Sequence, residues 1–188
     1  VDYFTHCSFT GEHDLWVGEE TQPHEGYLTD LISRKSVDYV KRMADASEPF
    51  FLSMHYTAPH WPWETRDDRD VADGIKGNIF HLQGGNIHTY HRMIHHMDEG
   101  IGWVVEALRE TGQLDNTLIV FTSDNGGERF SDNWPLVGGK MDLTEGGIRV
   151  PWIAHWPKGI AHPGRSSSQH CMTMDWSATM VADQSMVM

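Results

Sequence analysis

The feature that most constrains this chain is an apolar stripe over residues 87–108. Ile87, Tyr90, Ile94, Met97, Ile101, Val104 and Leu108 recur alternately at three and four residues, the spacing of one face of a helix. A helix so patterned must bury that face against a second layer. Gly100 and Gly102 lie inside it, and each costs about 1 kcal/mol relative to alanine. Either burial holds the helix, or close packing demands small residues there. Gly112 is the predicted stop. The pattern then changes kind. Leu118-Ile119-Val120-Phe121 is a short apolar run and reads as a buried strand over residues 117–122.

The same two patterns occur earlier and later. A helical one starts at Tyr27 and takes in Leu28, Leu31, Ile32, Val40, Met43 and Ala44. Residues 49–56 and 150–156 read as strands. Residues 1–26 read as loop, residues 61–86 as a surface excursion rich in Asp, Arg and Gly, and residues 157–168 as a Pro/Gly/Ser loop. Residues 175–188 begin a helix and stop inside it. Helix–strand–helix–strand order predicts a layered α/β fold. The length of 188 residues corresponds to about one domain. No run of 18 apolar residues is present. A formal charge of −13 argues against a nucleic-acid surface, which needs basic patches. It also means that an anion site must rely on local groups. The two cysteines, Cys7 and Cys171, make no metal-binding pair, and a bridge between them is left open by the sequence.

The chemistry concentrates where the strand over 117–122 ends. Thr122-Ser123-Asp124-Asn125-Gly126-Gly127 sets a carboxylate beside a carboxamide at the carboxyl end of a strand, where α/β sheets hold their sites. Two hard oxygen donors suit Ca²⁺ or Mg²⁺. Asn-Gly is also a favoured turn pair, and alone the turn reading would win. Lys140 tips the balance, in a second glycine turn Gly138-Gly139-Lys140, followed by Glu145-Gly146-Gly147-Ile148-Arg149-Val150-Pro151. A divalent cation and a lysine together hold a doubly charged oxyanion. This second turn is no P-loop: Trp134 stands where a glycine is required and Met141 where a Ser or Thr is required. His60 follows the strand over 49–56, between Pro59 and Pro62. Its imidazole is suited to binding an anion or protonating a leaving oxygen.

Other clusters are read as bland. His88, His91, His95 and His96 lack the zinc-protease pattern and are expected to form a solvated flank of the helix. The acidic run at Asp67–Gly74 fails the calcium-loop pattern, since Asp73 stands at its glycine position, and is expected to be an exposed loop. No Gly-x-Ser-x-Gly elbow exists. Trp61, Trp63 and Trp134 near the site suit either stacking on a sugar or aryl group or packing.

Taken in order, Phe50 to Trp63, His96-Met97-Asp98-Glu99-Gly100-Ile101-Gly102, the Thr122 to Gly127 turn and Gly138 to Pro151 resemble the sulfatase family of the alkaline phosphatase superfamily. The resemblance implies a three-layer α/β/α sandwich with a mostly parallel sheet, incomplete here at both ends. It implies that Asp124 and Asn125 are ligands of Ca²⁺, with Mg²⁺ as the alternative. Lys140 would contact the sulfate and the bridging oxygen, and His60 would bind the sulfate or assist the leaving group. Asn125 discriminates within the superfamily, since relatives that hydrolyse phosphate esters with two transition metals carry histidine there. The family's nucleophile is a formylglycine made within a Cys/Ser-x-Pro/Ala-x-Arg motif. Cys7 is followed by Ser8-Phe9-Thr10-Gly11 and Cys171 by Met172-Thr173-Met174-Asp175, and neither fits. The early aspartates, lysine and histidine of the family's site have no match either.

The expectation is therefore that residues 1–188 are part of a sulfatase catalytic domain, without the nucleophile region and the carboxy-terminal subdomain, and inactive alone. The expected partner is a sulfate-ester small molecule or a sulfated carbohydrate, with no nucleic acid and no membrane. Resemblance alone implies a periplasmic or secreted location. Two rival readings stand: a phosphodiester or phosphonate-ester hydrolase on the same scaffold, and a non-catalytic anion-binding protein without the nucleophile.

Overall fold

Two helices frame the protein, which is seen here in a computed structural model describing residues 2–76 and 84–182. Helix α1 spans Leu28–Ala44 and α3 spans Ile87–Glu110, and the two pack together along their lengths. Helix α3 opens with the Asn86 side chain accepting hydrogen bonds from the main-chain N–H groups of His88 and Thr89, which satisfies two of the orphan donors of a first turn. It ends as the sequence predicts, with Gly112 in the left-handed region at φ +73°.

The buried face of α3 is Met93, His96, Gly100, Val104, Ala107 and Leu108, rotated from the predicted stripe and sharing only Val104 and Leu108 with it. The cause lies in the crossing with α1. A Cβ on Gly100 would overlap the Ser33 hydroxyl, so the helices meet tightly over these two small residues. Gly102 has open space around it. On α1 the buried set is Leu28, Thr29, Ser33, Ser36 and Val40. Two of its serines return their hydroxyls to the helix, Ser33 to the Thr29 carbonyl and Ser36 to the Ile32 carbonyl.

Two apolar clusters surround this crossing. The first joins Tyr3, Phe4, Tyr27, Leu28, Ala58, Trp63, Ala72 and Met93. The second joins Val40, Val104, Ala107 and Leu108, with Phe50, Leu52, Met54 and Ile119 packed against it. Residues 50–56, expected as a strand, are extended but pair with no strand among the described residues. Their burial still alternates with period two. Phe50, Leu52, Met54 and Tyr56 face inward, while Phe51, 73% exposed, Ser53 and His55 face outward.

The described strands pair antiparallel. Strand β1, Trp16–Val17, pairs with β2, Glu20–Thr21, inside the segment read as loop. Strand β3, Ile119–Thr122, pairs with β4, Trp152–His155, in the register Ile119↔His155 to Thr122↔Trp152. Both were expected as strands at these places, and the mixture of helix and strand makes the chain α/β. The surface excursion contains a short helix, α2, Arg69–Ile75, so the acidic run is helical over most of its length. Residues 77–83 of that excursion lie outside the described residues. A one-turn helix α4, Glu145–Ile148, occupies the second glycine segment. The last helix, α5, spans Asp175–Ala182, with Trp176 stacked on Trp152 at 4.8 Å; the rest of that expected helix, residues 183–188, lies outside the described residues. Cys7 is buried, Cys171 is exposed, and both are free, so the open question of a bridge is answered in the negative.

The histidine run needs correction. His88, His91 and His95 are exposed as expected, but His96 is buried against the Tyr27 ring, edge-on at 5.7 Å. Burial, with the Arg66 charge beside it, holds its pKa below the ordinary imidazole value.

Candidate functional site

The glycines of the two site turns are there because three stretches of backbone share one small space. Gly126 N–H donates to the Gly147 carbonyl at 2.8 Å, Lys140 N–H to the Gly127 carbonyl at 3.0 Å, and Gly146 N–H to the Val137 carbonyl at 2.8 Å. A Cβ on Gly126 would overlap the Gly146 carbonyl oxygen, and one on Gly146 would overlap that of Gly138. One side chain, Asn133, closes the unit. Its Oδ1 accepts from Gly127 N–H at 3.2 Å, and its Nδ2 donates to the carbonyls of Gly127 at 3.0 Å and Gly138 at 3.2 Å. The turn that carries Asn125 and the turn that carries Lys140 are thus a single folded object.

Within it, Asp124 is exposed at the end of β3, and its carboxylate makes no hydrogen bond or ion pair among the described residues. Asn125 donates Nδ2 to the Gly126 carbonyl at 2.9 Å, which leaves Oδ1 as its free acceptor. A carboxylate and a carboxamide oxygen fit a hard cation in kind. They fall short in number of the six to eight oxygens that calcium takes. Among the described residues no three His, Cys, Asp or Glu side chains are arranged to hold a metal ion. Lys140 has a largely covered side chain, and its Nζ lies 3.4 Å from Glu128 Oε2. Nothing in the sequence marked Glu128 beyond its charge.

His60 sits on the other side, on the loop after residues 50–56. Its main-chain N–H donates to the Thr57 carbonyl at 2.8 Å, and its ring lies against Trp61 with centroids 4.2 Å apart. Nδ1 is 2.8 Å from the Trp61 carbonyl oxygen. A carbonyl can only accept, so Nδ1 carries hydrogen and Nε2 is the atom left for chemistry. Among the described residues no hydrogen bond or ion pair joins His60 to Asp124, Asn125 or Lys140. The two sides meet one step further out. Trp63 packs edge-on to Phe130 at 5.0 Å, and the Arg129 guanidinium lies over both rings. Trp63 is therefore packing, whereas Trp134 is 84% exposed beside Asn133.

An α/β chain thus brings a carboxylate and a carboxamide at a strand end into one backbone unit with a lysine. The comparisons with known proteins give the family. The family described as Sulfatase matches residues 2–182, so the chain belongs to the sulfatase family. It is 31% identical over 172 residues to the uncharacterized sulfatase YdeN of Escherichia coli K12, covering 87% of this chain and 30% of that protein. It is 32% identical over 164 residues to human N-acetylgalactosamine-6-sulfatase, covering 84% of this chain and 29% of that protein. Among solved structures it is similar to Ps i-CgsB in complex with k-i-k-neocarrahexaose, at 42% identity and a TM-score of 0.61 over 78% of this chain and 31% of that one. The chain thus spans about a third of the length of the relatives it matches.

Proposed function

We propose that this chain carries the later half of the substrate site of a sulfuric ester hydrolase that cleaves sulfate esters of carbohydrate or aryl alcohols. The observation that carries the reading is the interlocked unit of residues 125–147, which fixes Asn125 and Lys140 relative to each other through backbone. A relative whose structure is a complex with k-i-k-neocarrahexaose favours a carbohydrate over an aryl alcohol. In this reading Asp124 and Asn125 Oδ1 would hold Ca²⁺, with Mg²⁺ as the alternative, and the cation when bound would draw charge from the nonbridging sulfate oxygens. Lys140 keeps an ammonium directed at the same oxyanion and at the bridging oxygen, and Glu128 holds that side chain in place until the anion arrives. His60 offers Nε2 to the sulfate or to the departing alcohol, with Nδ1 tied to the Trp61 carbonyl so that the ring keeps one orientation.

The same reading gives the full-length protein a formylglycine nucleophile outside residues 1–188, a three-layer α/β/α sandwich around a mostly parallel sheet, and export to the periplasm or the medium. The experiment is sulfate release by the full-length protein from sulfated oligosaccharides and aryl sulfates, alongside phosphodiester and phosphonate esters. Release from a sulfate ester is expected, with a loss of at least a hundredfold in kcat/KM for Lys140→Ala and a loss on chelation that Ca²⁺ restores. A preference for the phosphorus esters would overturn it.

A further inference from the structure

We propose that Tyr3 is a positioning residue for His60, a buried strut whose main-chain N–H and phenol hydroxyl hold both ends of the loop that carries the imidazole. The role of His60 rests on the function proposed above; the strut itself does not. Tyr3 and Glu64 are fully buried. The Tyr3 hydroxyl donates to the main-chain carbonyl of His60 at 2.9 Å, and the Tyr3 N–H donates to Glu64 Oε2 at 3.2 Å. Tyr3 stacks on Tyr27 at 5.4 Å, and the Tyr27 hydroxyl donates to the Glu64 main-chain carbonyl at 2.8 Å.

Just beyond, Arg66 ties the loop to α1 through Asp30 at 2.8 Å and to α3 through Glu99. An ordinary core tyrosine needs only some acceptor for its hydroxyl. Here the N–H and the hydroxyl of one residue, and the hydroxyl of the ring stacked on it, go to the same short loop, while the Tyr3 carbonyl accepts from the Leu28 N–H at 2.8 Å. One of them lands on His60 itself. With its N–H on Thr57, its carbonyl on Tyr3 and its Nδ1 on Trp61, His60 is held at three points, and Tyr3 is the one that comes from outside the loop.

The second anchor responds to pH. Burial, then the nearby Asp2, pushes the Glu64 carboxyl up to about 8. The groups facing it are Asp2 and Tyr3 from the amino-terminal segment, Tyr27 ahead of α1, and Asp68 and Asp73 around α2. Glu64 Oε1 has no hydrogen-bond partner among the described residues. Ionisation above pH 8 would strengthen the hydrogen bond Glu64 accepts from Tyr3 but would leave a charge beside Asp2 in a dry, already acidic place, a repulsion that strains this end of the loop.

The test uses Tyr3→Phe, Glu64→Gln and, as a control for loss of a tyrosine hydroxyl elsewhere, Tyr39→Phe. Two measurements are made: hydrogen exchange of the His60 amide, and the pH dependence of kcat and KM for sulfate release by the full-length protein. Tyr3→Phe should speed exchange at His60 by about tenfold or more and lower kcat by about tenfold, with KM within about twofold. Glu64→Gln should flatten the fall in kcat between pH 7 and 9, and Tyr39→Phe should leave both readouts unchanged. Unaltered exchange and kcat in a folded Tyr3→Phe protein would overturn the proposal. So would a Glu64→Gln pH response identical to the wild type, which decides the matter even where Tyr3→Phe does not fold. A wild-type protein that releases no sulfate would remove the function reading alone, since the exchange rates decide on the strut without it.

Discussion

Lys140 and Asn125 sit in a unit of main-chain hydrogen bonds closed by the Asn133 side chain; the loop of His60 is held by side-chain contacts, some of them from distant parts of the chain. In the first region the nearest atoms a Cβ would meet at Gly126 and at Gly146 are main-chain carbonyls and carbons, so nothing larger than hydrogen fits, and geometry is fixed by exclusion. In the second, Tyr3, Tyr27, Glu64 and Arg66 each contribute a polar contact. Geometry there depends on particular chemistries being present. A tight backbone unit gives precision that few substitutions can improve and that any Cβ destroys. A side-chain frame gives precision that can be tuned by charge.

Five substitutions would break or sharpen that contrast. Gly126→Ala should cost the most, about 3 kcal/mol in urea unfolding, because backbone has to move to admit the methyl. A loss below 1 kcal/mol would mean that the unit is looser than it looks. Asn133→Ala removes three hydrogen bonds from the same unit and should cost about 2 kcal/mol. Exchange of the Lys140 amide should rise with it, and an unchanged rate would show that glycine packing alone suffices.

Glu64→Gln tests the other region by its pH response. A carboxyl raised to about 8 in the folded state against about 4.5 unfolded keeps its proton longer when folded. Its contribution to stability is then fully present below pH 4.5 and is lost as pH rises to 8. The Tm of the wild type should fall across that window by a few degrees relative to Glu64→Gln, then run parallel above it. A constant offset would mean that Glu64 ionises normally. Gly102→Ala should have the smallest effect and the opposite sign, a gain of about 1 kcal/mol in open helix. Gly100→Ala, against Ser33, should lose stability.

What the sequence disclosed follows the same divide. The Asp124-Asn125-Gly126-Gly127 and Gly138-Gly139-Lys140 turns were legible because a backbone unit is written in adjacent glycines. The strands flanking them and the end of α3 were legible for the same local reasons. The rotation of the α3 face was not, because it comes from Ser33 meeting Gly100, a fact about two helices at once. His96 was misread as solvated because its partner, Tyr27, lies far away in sequence. The hub role of Asn133, the ion pair of Lys140 with Glu128, and the buried pair of Tyr3 and Glu64 carry no local mark. An asparagine in a loop, an acid after two glycines and a tyrosine in an irregular segment all have commoner explanations. Residues 50–56 stand between the two cases. Their alternation shows in the burial, while the pairing that would make them a strand depends on neighbours no local pattern names.

The Tyr3–Glu64 contact joins residues 61 apart in the chain, and the consequence is one of timing. Closing a long loop costs entropy before any contact returns it, whereas the hydrogen bond from Gly126 to Gly147 closes a much shorter one. The glycine unit should therefore assemble early in refolding and the strut late. On warming the order should reverse, with His60 coming loose while Asn125 and Lys140 still hold their shape. Under the proposed function, heat should then abolish turnover before it abolishes anion binding.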